Sequence, residues 1–105
     1  MFKEIKASFE VSSKNLHYHY LFVIERKESG AFHYGDHSCH LLNLYDLDDN
    51  EKWLRDDYYD TRYDHLPIEK GKWLKFWEKY IKENWREVSE IKVVNYEEKE
   101  VEENA

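Results

Sequence analysis

The sequence has one cysteine, one proline and three glycines among its 105 residues. A single cysteine excludes a disulfide within the chain and is typical of a reducing compartment. Three scattered glycines cannot build a phosphate-cradling loop, and no serine lies in a nucleophile-elbow motif. No segment approaches the roughly 18 apolar residues of a membrane span, and the N-terminus lacks the apolar run of a signal peptide. We therefore expect a soluble, cytoplasmic protein.

Acidic and aromatic side chains are abundant. Asp and Glu number 23 against 16 Lys and Arg, which gives a formal charge of −7, and 17% of the residues are aromatic. The length suits one domain, and the aromatic residues supply the apolar area that a disordered acidic chain lacks. We expect a single domain over residues 1–96. A flexible acidic tail is predicted at 97–105, because five of these residues are Glu.

Four segments have the alternating or continuous apolar pattern of β-strands, namely 2–11, 16–26, 31–47 and 88–96. Trp73, Trp77 and Ile81 recur at helical spacing, and Pro67 suits a first helical turn, so a helix is predicted over 67–85. Strands followed by a helix favour an α+β fold. The sequence thus predicts a mainly antiparallel sheet of about four strands, with one long amphipathic helix packed on one face.

The expected core combines the apolar residues of these strands with the apolar stripe of the helix. Its members are Leu21, Phe22, Val23, Ile24, Leu42, Leu44, Trp73, Trp77, Ile81 and Val93. Segment 46–64 is open to two interpretations. Trp53, Leu54 and Asp57 have a spacing that allows a second short helix, whereas the aromatic run that begins at Tyr58 favours an extended chain.

Five of the six histidines lie between residues 17 and 40. If the second and third strands pair in register, imidazoles and one thiolate could converge on a tetrahedral Zn²⁺ ion. The candidate ligands are His17, His19, His37 and Cys39, with His33 or His40 as further ligands. The alternative interpretation is that these histidines only face solvent, because no Cys-x-x-Cys or His-Glu-x-x-His spacing fixes a ligand set.

The strongest functional signal is the acidity of segment 46–64, which has eight acids and three bases with tyrosines between them. Carboxylates steer a basic partner, and tyrosines supply contact area at low entropic cost. The predicted partner-binding residues are Asp48, Asp49, Asp56, Asp57, Tyr58, Tyr59, Asp60 and Tyr63. The alternative interpretation is an ordinary solvated charge cluster without a partner.

The predicted helix also has a basic side that includes Lys72, Lys75 and Lys79. Lysines on one helix face could meet the phosphates of a nucleic acid or of an anionic membrane. The formal charge of −7 opposes both at long range. We therefore expect neither direct nucleic-acid binding nor membrane binding.

In size, acidity and a composition rich in aromatics, Lys, Glu, Asn and Tyr, the chain resembles small accessory proteins of bacterial phages and mobile elements. Some of those proteins inhibit host defence nucleases. The resemblance is compositional, transfers no residue and implies a binding role. Since no catalytic motif is present, we expect a non-enzymatic protein-binding module without a cofactor, an inhibitor or regulator that covers a basic, nucleic-acid-binding surface. The alternative is a zinc-binding protein.

Overall fold

The computed structural model describes residues 2–28, 38–59 and 68–101. Its elements in chain order are β1 (Phe2–Ser13), β2 (Tyr18–Glu28), β3 (Ser38–Asp46), β4 (Lys52–Tyr59), α1 (Lys70–Asn84) and β5 (Glu90–Val101). The strands form one antiparallel sheet in the order β4-β3-β2-β1-β5. The first four strands are therefore a meander, and β5 joins its far edge after the helix. The predicted α+β class, with an antiparallel sheet and one helix, is confirmed.

The core lies between α1 and one face of the sheet. In β1 the alternate residues Ile5, Ala7 and Phe9 are all buried, and the register places Phe9 beside Phe22 of β2. The complete core is Ile5, Ala7, Phe9, Val11, Phe22, Ile24, Leu42, Leu44, Trp73, Trp77 and Ile81. Alternating apolar residues form one continuous surface because successive side chains of a strand point to opposite faces.

Three members of the predicted core are not fully buried in it. Leu21 and Val23 have positions on the opposite face of β2, and Val93 is only partly buried against the core. The run from Leu16 to Ile24 is almost wholly apolar, so it hides the alternation that separates the two faces.

Helix α1 is shorter than the predicted 67–85. Glu69 is its N-cap residue, and the Glu69 carboxylate accepts hydrogen bonds from the backbone N–H groups of Gly71 (2.9 Å) and Lys72 (3.2 Å). These two bonds lower the pKa of Glu69. Pro67, the predicted first-turn residue, lies outside the described residues. No helix in the described ranges is both long enough and apolar enough to cross a membrane.

The region considered for a second short helix forms an edge strand instead. Residues 52–59 pair with β3, so the extended interpretation is confirmed for Tyr58 and Tyr59, while the rest of that aromatic run lies outside the described residues. The preceding residues 47–51 form a turn in which Asn50 and Glu51 have positive φ values of 52° and 55°. This backbone reverses the chain into β4 and does not cap a helix. Of the predicted strand 31–47, residues 31–37 lie outside the described part of the chain.

The predicted end of the last strand at Tyr96 is wrong, because β5 continues to Val101. Residues 97–101 pair with the start of β1, and Lys3 contacts Glu98 at 3.0 Å. They belong to the sheet and not to a flexible tail. The local density of Glu was misleading because the neutralising lysine comes from a different strand. Residues 102–105 lie outside the described ranges.

Candidate protein-binding face

Helix α1 packs on one face of the sheet, and we call the opposite one the open face. It consists of the outward positions of the five strands, which no other described element covers. Its members include Lys6, Ser8, Glu10, His19, Leu21, Val23, Glu25, Leu41, Asn43, Tyr45, Trp53, Asp56, Lys92 and Asn95. The register aligns these residues in rows, so that each residue has defined neighbours on the adjacent strands.

One row crosses the whole sheet, from Trp53 of β4 through Tyr45, Leu21 and Glu10 to Lys92 of β5. It begins at an exposed indole, passes over partly buried apolar groups and ends in an ion pair. The composition of the open face therefore changes from one edge of the sheet to the other.

We call the part of the open face on β1, β2 and β5 the paired half, because three of its acids, Glu4, Glu10 and Glu25, have basic partners. The ion pairs are Glu4–Lys99 (3.6 Å), Lys6–Glu25 (3.4 Å), Glu25–Lys27 (3.8 Å) and Glu10–Lys92 (3.8 Å). A depression of about 350 Å³ lies at one end of this half, and its lining includes the first three of these pairs. It lacks the mostly apolar lining of a small-molecule site.

His19 connects the paired half to the turn at 47–51. Its Nε2 lies 2.6 Å from Glu10 Oε1, and its Nδ1 lies 3.3 Å from Asp48 Oδ1. A doubly protonated ring can donate to both carboxylates, so the bond to Glu10 above all, and then that to Asp48, raises the pKa of His19. The His19 bond in turn lowers the pKa of Glu10. His19, Glu10 and Asp48 thus form a charged cluster that links the β3–β4 turn to β1, and we call it the His19 clamp.

We call the remainder of the open face, on β3, β4 and the turn 47–51, the acidic half. Its most prominent side chain is Trp53, which is 52% exposed and donates a hydrogen bond from Nε1 to Asn43 Oδ1 at 3.0 Å. Leu54 is also exposed and is the extra residue of a β-bulge, because the register shifts between Leu44 and Tyr45. The bulge brings Trp53 and Asp56 to the same face although their numbers differ by three.

Asp48 of this half contacts His19, but three other acids of the half have no such partner. Asp49, Glu51 and Asp56 are exposed, and no residue of the described ranges forms a salt bridge with any of them. The nearby Arg55 lies on the helix side, where its guanidinium is 5.0 Å from the centre of the Trp85 ring. The negative charge of the acidic half is thus left uncompensated at the surface.

The structure places the side chains of three of the predicted partner-binding residues, namely Asp48, Asp49 and Asp56. Asp48 bonds to His19, Asp49 is exposed in the turn, and Asp56 lies on the open face opposite Asn43. Of Asp57, Tyr58 and Tyr59 the structure describes the backbone, which belongs to β4, whereas Asp60 and Tyr63 lie outside the described residues.

Sequence reasoning did not identify Trp53 or Asn43 as functional candidates. Because the bulge at Leu54 interrupts the two-residue period of β4, Trp53 and Leu54 matched a helical pattern with Asp57. Asn43 does alternate with Leu42 and Leu44, and this polar position within an apolar run was the available signal.

The candidate zinc ligands that the structure describes are not brought together. His17 lies in the turn before β2 with a φ of 53°, so it does not share a strand face with His19. The register pairs Cys39 with Lys27, eight residues along β2 from His19, or about 26 Å at 3.3 Å per residue. His19 and Cys39 therefore cannot bind the same ion. In the part of the chain that the structure describes, no three potential ligands are placed to hold a metal.

The other candidate histidines divide into one in the core and two outside the described residues. His40 is buried between the sheet and α1, and its Nε2 accepts a hydrogen bond from the Trp73 indole at 3.2 Å. Its ring also lies 5.0 Å from that of Trp77. His40 is thus a residue of the helix–sheet packing, while His33 and His37 are outside the described ranges.

No protein-family model matches the chain, and no curated protein or solved structure is significantly similar to it. The open face is the feature from which a function can be inferred, because it combines exposed aromatic surface with unpaired charge.

Proposed function

We propose that the chain is a small non-enzymatic protein-binding module whose acidic half contacts a basic surface of a partner protein. The observation that carries the proposal is that exposed Trp53 shares its half of the open face with three acids, Asp49, Glu51 and Asp56, that form no salt bridge with a described residue. On the other half, Glu4, Glu10 and Glu25 contact lysines. An acid in an ion pair must break its contact with the lysine before it can bind a new cation, which costs free energy. An unpaired acid has no such cost.

The arrangement also matches the anatomy of protein interfaces. Leu21, Val23 and Tyr45 supply a partly buried apolar centre, Trp53 adds an exposed aromatic ring, and charged groups surround them. Interfaces have an apolar centre with a polar rim, and Trp and Tyr are frequent among the residues that contribute most to affinity. Rim carboxylates mainly accelerate association with a basic partner.

The distribution of charge supports one orientation of the module on its partner. The solvent side of α1 includes exposed Lys72, Lys75 and Lys79, which a basic partner would repel. The acidic half lies on the opposite side of the sheet. A basic partner is therefore attracted to the open face and repelled from the helix.

Basic surfaces of proteins are often surfaces that bind nucleic acid. An acidic module that covers such a surface would compete with the phosphates, so we propose the role of an inhibitor or regulator of a nucleic-acid-processing protein. The formal charge of −7 and the compositional resemblance to phage and mobile-element accessory proteins support this choice of partner.

The proposal is tested with two variants that alter the net charge equally. The first reverses Asp49, Glu51 and Asp56 to Lys, and the second, a matched control, reverses exposed acids away from the acidic half: Glu83, Glu87 and Glu100. A partner is first isolated by affinity capture from host lysate, and association rates are then measured at low and high salt. We expect the first variant to slow association roughly tenfold or more at low salt and to weaken its salt dependence.

The control should retain most of the association rate, because its substitutions lie outside the proposed contact. Equal loss in the two variants would show that net charge alone governs association. That result, or binding unaffected by the first variant, would contradict the assignment of the interface to the acidic half.

A further inference from the structure

We propose that Trp53, Asn43 and Asp56 form a receptor for one arginine side chain of the partner protein. This inference rests on the proposed function and specifies the group that the acidic half binds.

The position of the indole follows from one hydrogen bond and the strand register. Trp53 is opposite Tyr45, but its Nε1 reaches Asn43, two residues further along β3, at 3.0 Å. Asn43 is itself opposite Asp56, and directly opposed residues have Cβ atoms about 4.5–5.5 Å apart. The indole ring and the Asp56 carboxylate therefore flank the same amide side chain.

The hydrogen bond to Asn43 also restricts the rotation of an indole that is 52% exposed. A ring that is already oriented loses little conformational entropy when a ligand stacks on it. The accessible ring surface and the adjacent carboxylate are thus presented together before any partner arrives.

Arginine fits this pair of groups better than lysine does. Indole is the aromatic ring that attracts cations most strongly, and a planar guanidinium can stack on its face. The same guanidinium can donate two parallel hydrogen bonds to a carboxylate, and it is more weakly hydrated than an ammonium group. The chain itself contains this stacking on the other side of the sheet, where the Arg55 guanidinium lies 5.0 Å from the centre of the Trp85 ring.

Charge complementarity indicates that the cation comes from a partner. None of the described residues forms a salt bridge with Asp56, and the neighbouring Arg55 is engaged with Trp85. On the paired half, by contrast, Glu25, Glu10 and Glu4 already contact lysines of the sheet. Asp56 is the acid of the open face that lies next to an exposed indole and has no such lysine.

The test is an NMR titration of the full chain with three capped amino acids: N-acetyl-arginine methylamide, its lysine analogue and its neutral citrulline analogue. We expect the arginine probe to cause saturable shifts of the Trp53 indole N–H and the Asn43 side-chain amide signals. The lysine probe should bind several-fold more weakly. Citrulline, which has nearly the same shape without the charge, should cause no saturable shift.

Three variants locate the binding. Asp56→Asn should weaken the arginine probe at least several-fold, and Trp53→Leu should abolish the shifts of the Asn43 amide. Asp49→Asn is the matched control, since it removes the same charge from the acidic half without touching the three receptor residues. It should leave the affinity for the probe nearly unchanged. Melting temperatures establish that each variant is folded.

Equal shifts with all three probes, or equal weakening by Asp56→Asn and Asp49→Asn, would overturn the receptor. So would concentration-dependent dimerisation of the chain that Asp56→Asn abolishes, since the arginine would then come from a second copy. These outcomes differ from failure of the proposed function, which is measured by association of the charge-reversed variant with the captured partner.

Discussion

The two halves of the open face both contain acids, but they differ in what surrounds those acids. On the paired half, Glu10 and Glu25 contact lysines and a histidine of neighbouring strands. On the acidic half, Asp49 and Asp56 have no such contacts among the described residues, and the exposed Trp53 bonds to Asn43, the residue opposite Asp56. Paired charge stabilises the sheet, whereas unpaired charge beside an exposed aromatic ring is available for binding.

The difference shows why the count of acids in a segment does not identify a binding surface. The C-terminal segment 97–101 is as acidic as the β3–β4 region, yet it pairs with β1 and contributes Glu98 to an ion pair with Lys3. What distinguishes the two segments is the presence of a basic cross-strand neighbour. This property depends on the register of the sheet.

The largest expected effect tests whether Trp53 serves binding and not stability. Trp77 is fully buried between α1 and the sheet, so Trp77→Ala should lower the free energy of unfolding by roughly 3–5 kcal/mol. Trp53→Ala should lower it by no more than about 0.5 kcal/mol, because the ring is half exposed. Urea denaturation measures both values. A large loss in Trp53→Ala would mean that the acidic half is part of the stabilising core.

A deletion of residues 98–105 tests the paired half. It removes the pairing of β5 with the start of β1, together with the Lys3–Glu98 and Glu4–Lys99 contacts. We expect a loss of at least about 1 kcal/mol, which corresponds to a decrease of roughly 4–8 °C in the melting temperature of a domain of this size. Calorimetry of the truncated chain makes the measurement. An unchanged melting temperature would show that these residues are a free tail.

The smallest expected effect is the pH dependence of the His19 clamp. Because its hydrogen bond to Glu10 raises the pKa of His19 above 6.5, the stabilisation by His19 is complete below pH 6.5 and is lost as the pH rises through the folded-state pKa. The lowered pKa of Glu10 has the opposite consequence, since its contribution is present above pH 4.5 and is lost as the pH falls through its folded-state pKa.

The His19 clamp should therefore stabilise the chain most between about pH 4.5 and pH 6.5. Melting temperatures across this range should show a maximum that Glu10→Gln flattens, and an NMR titration of Glu10→Gln should give a lower pKa for His19. Asp56→Asn is the comparison from the acidic half, and it should leave the His19 titration unchanged. A His19 pKa that is insensitive to Glu10→Gln would contradict the clamp.

Much of the fold could be predicted from residue patterns. The stripe of Trp73, Trp77 and Ile81 identified the helix and its buried side, and the alternation of Ile5 and Ala7 identified β1 and its buried face. The predictions failed where one extra residue interrupted the two-residue period of a strand, or where the pairing strand was far away in the sequence. The bulge at Leu54 imitated helical spacing.

Less of the candidate binding site could be predicted from the sequence. The acids of the β3–β4 turn were identified. The hydrogen bond from Trp53 to Asn43 was not, because it joins residues of two strands and no local sequence pattern specifies it. The choice of zinc ligands depended on the same kind of information, since the register separates His19 from Cys39 along the sheet.

The sequence by itself determined the two-faced strands and the amphipathic helix, because side-chain alternation and helical periodicity are local properties of the chain. Only the tertiary structure decided which acids are neutralised. Glu10 and Asp56 are both carboxylates of the open face. The register places Lys92 opposite Glu10 and Asn43 opposite Asp56, and this difference in cross-strand neighbour leaves one carboxylate paired and the other uncompensated.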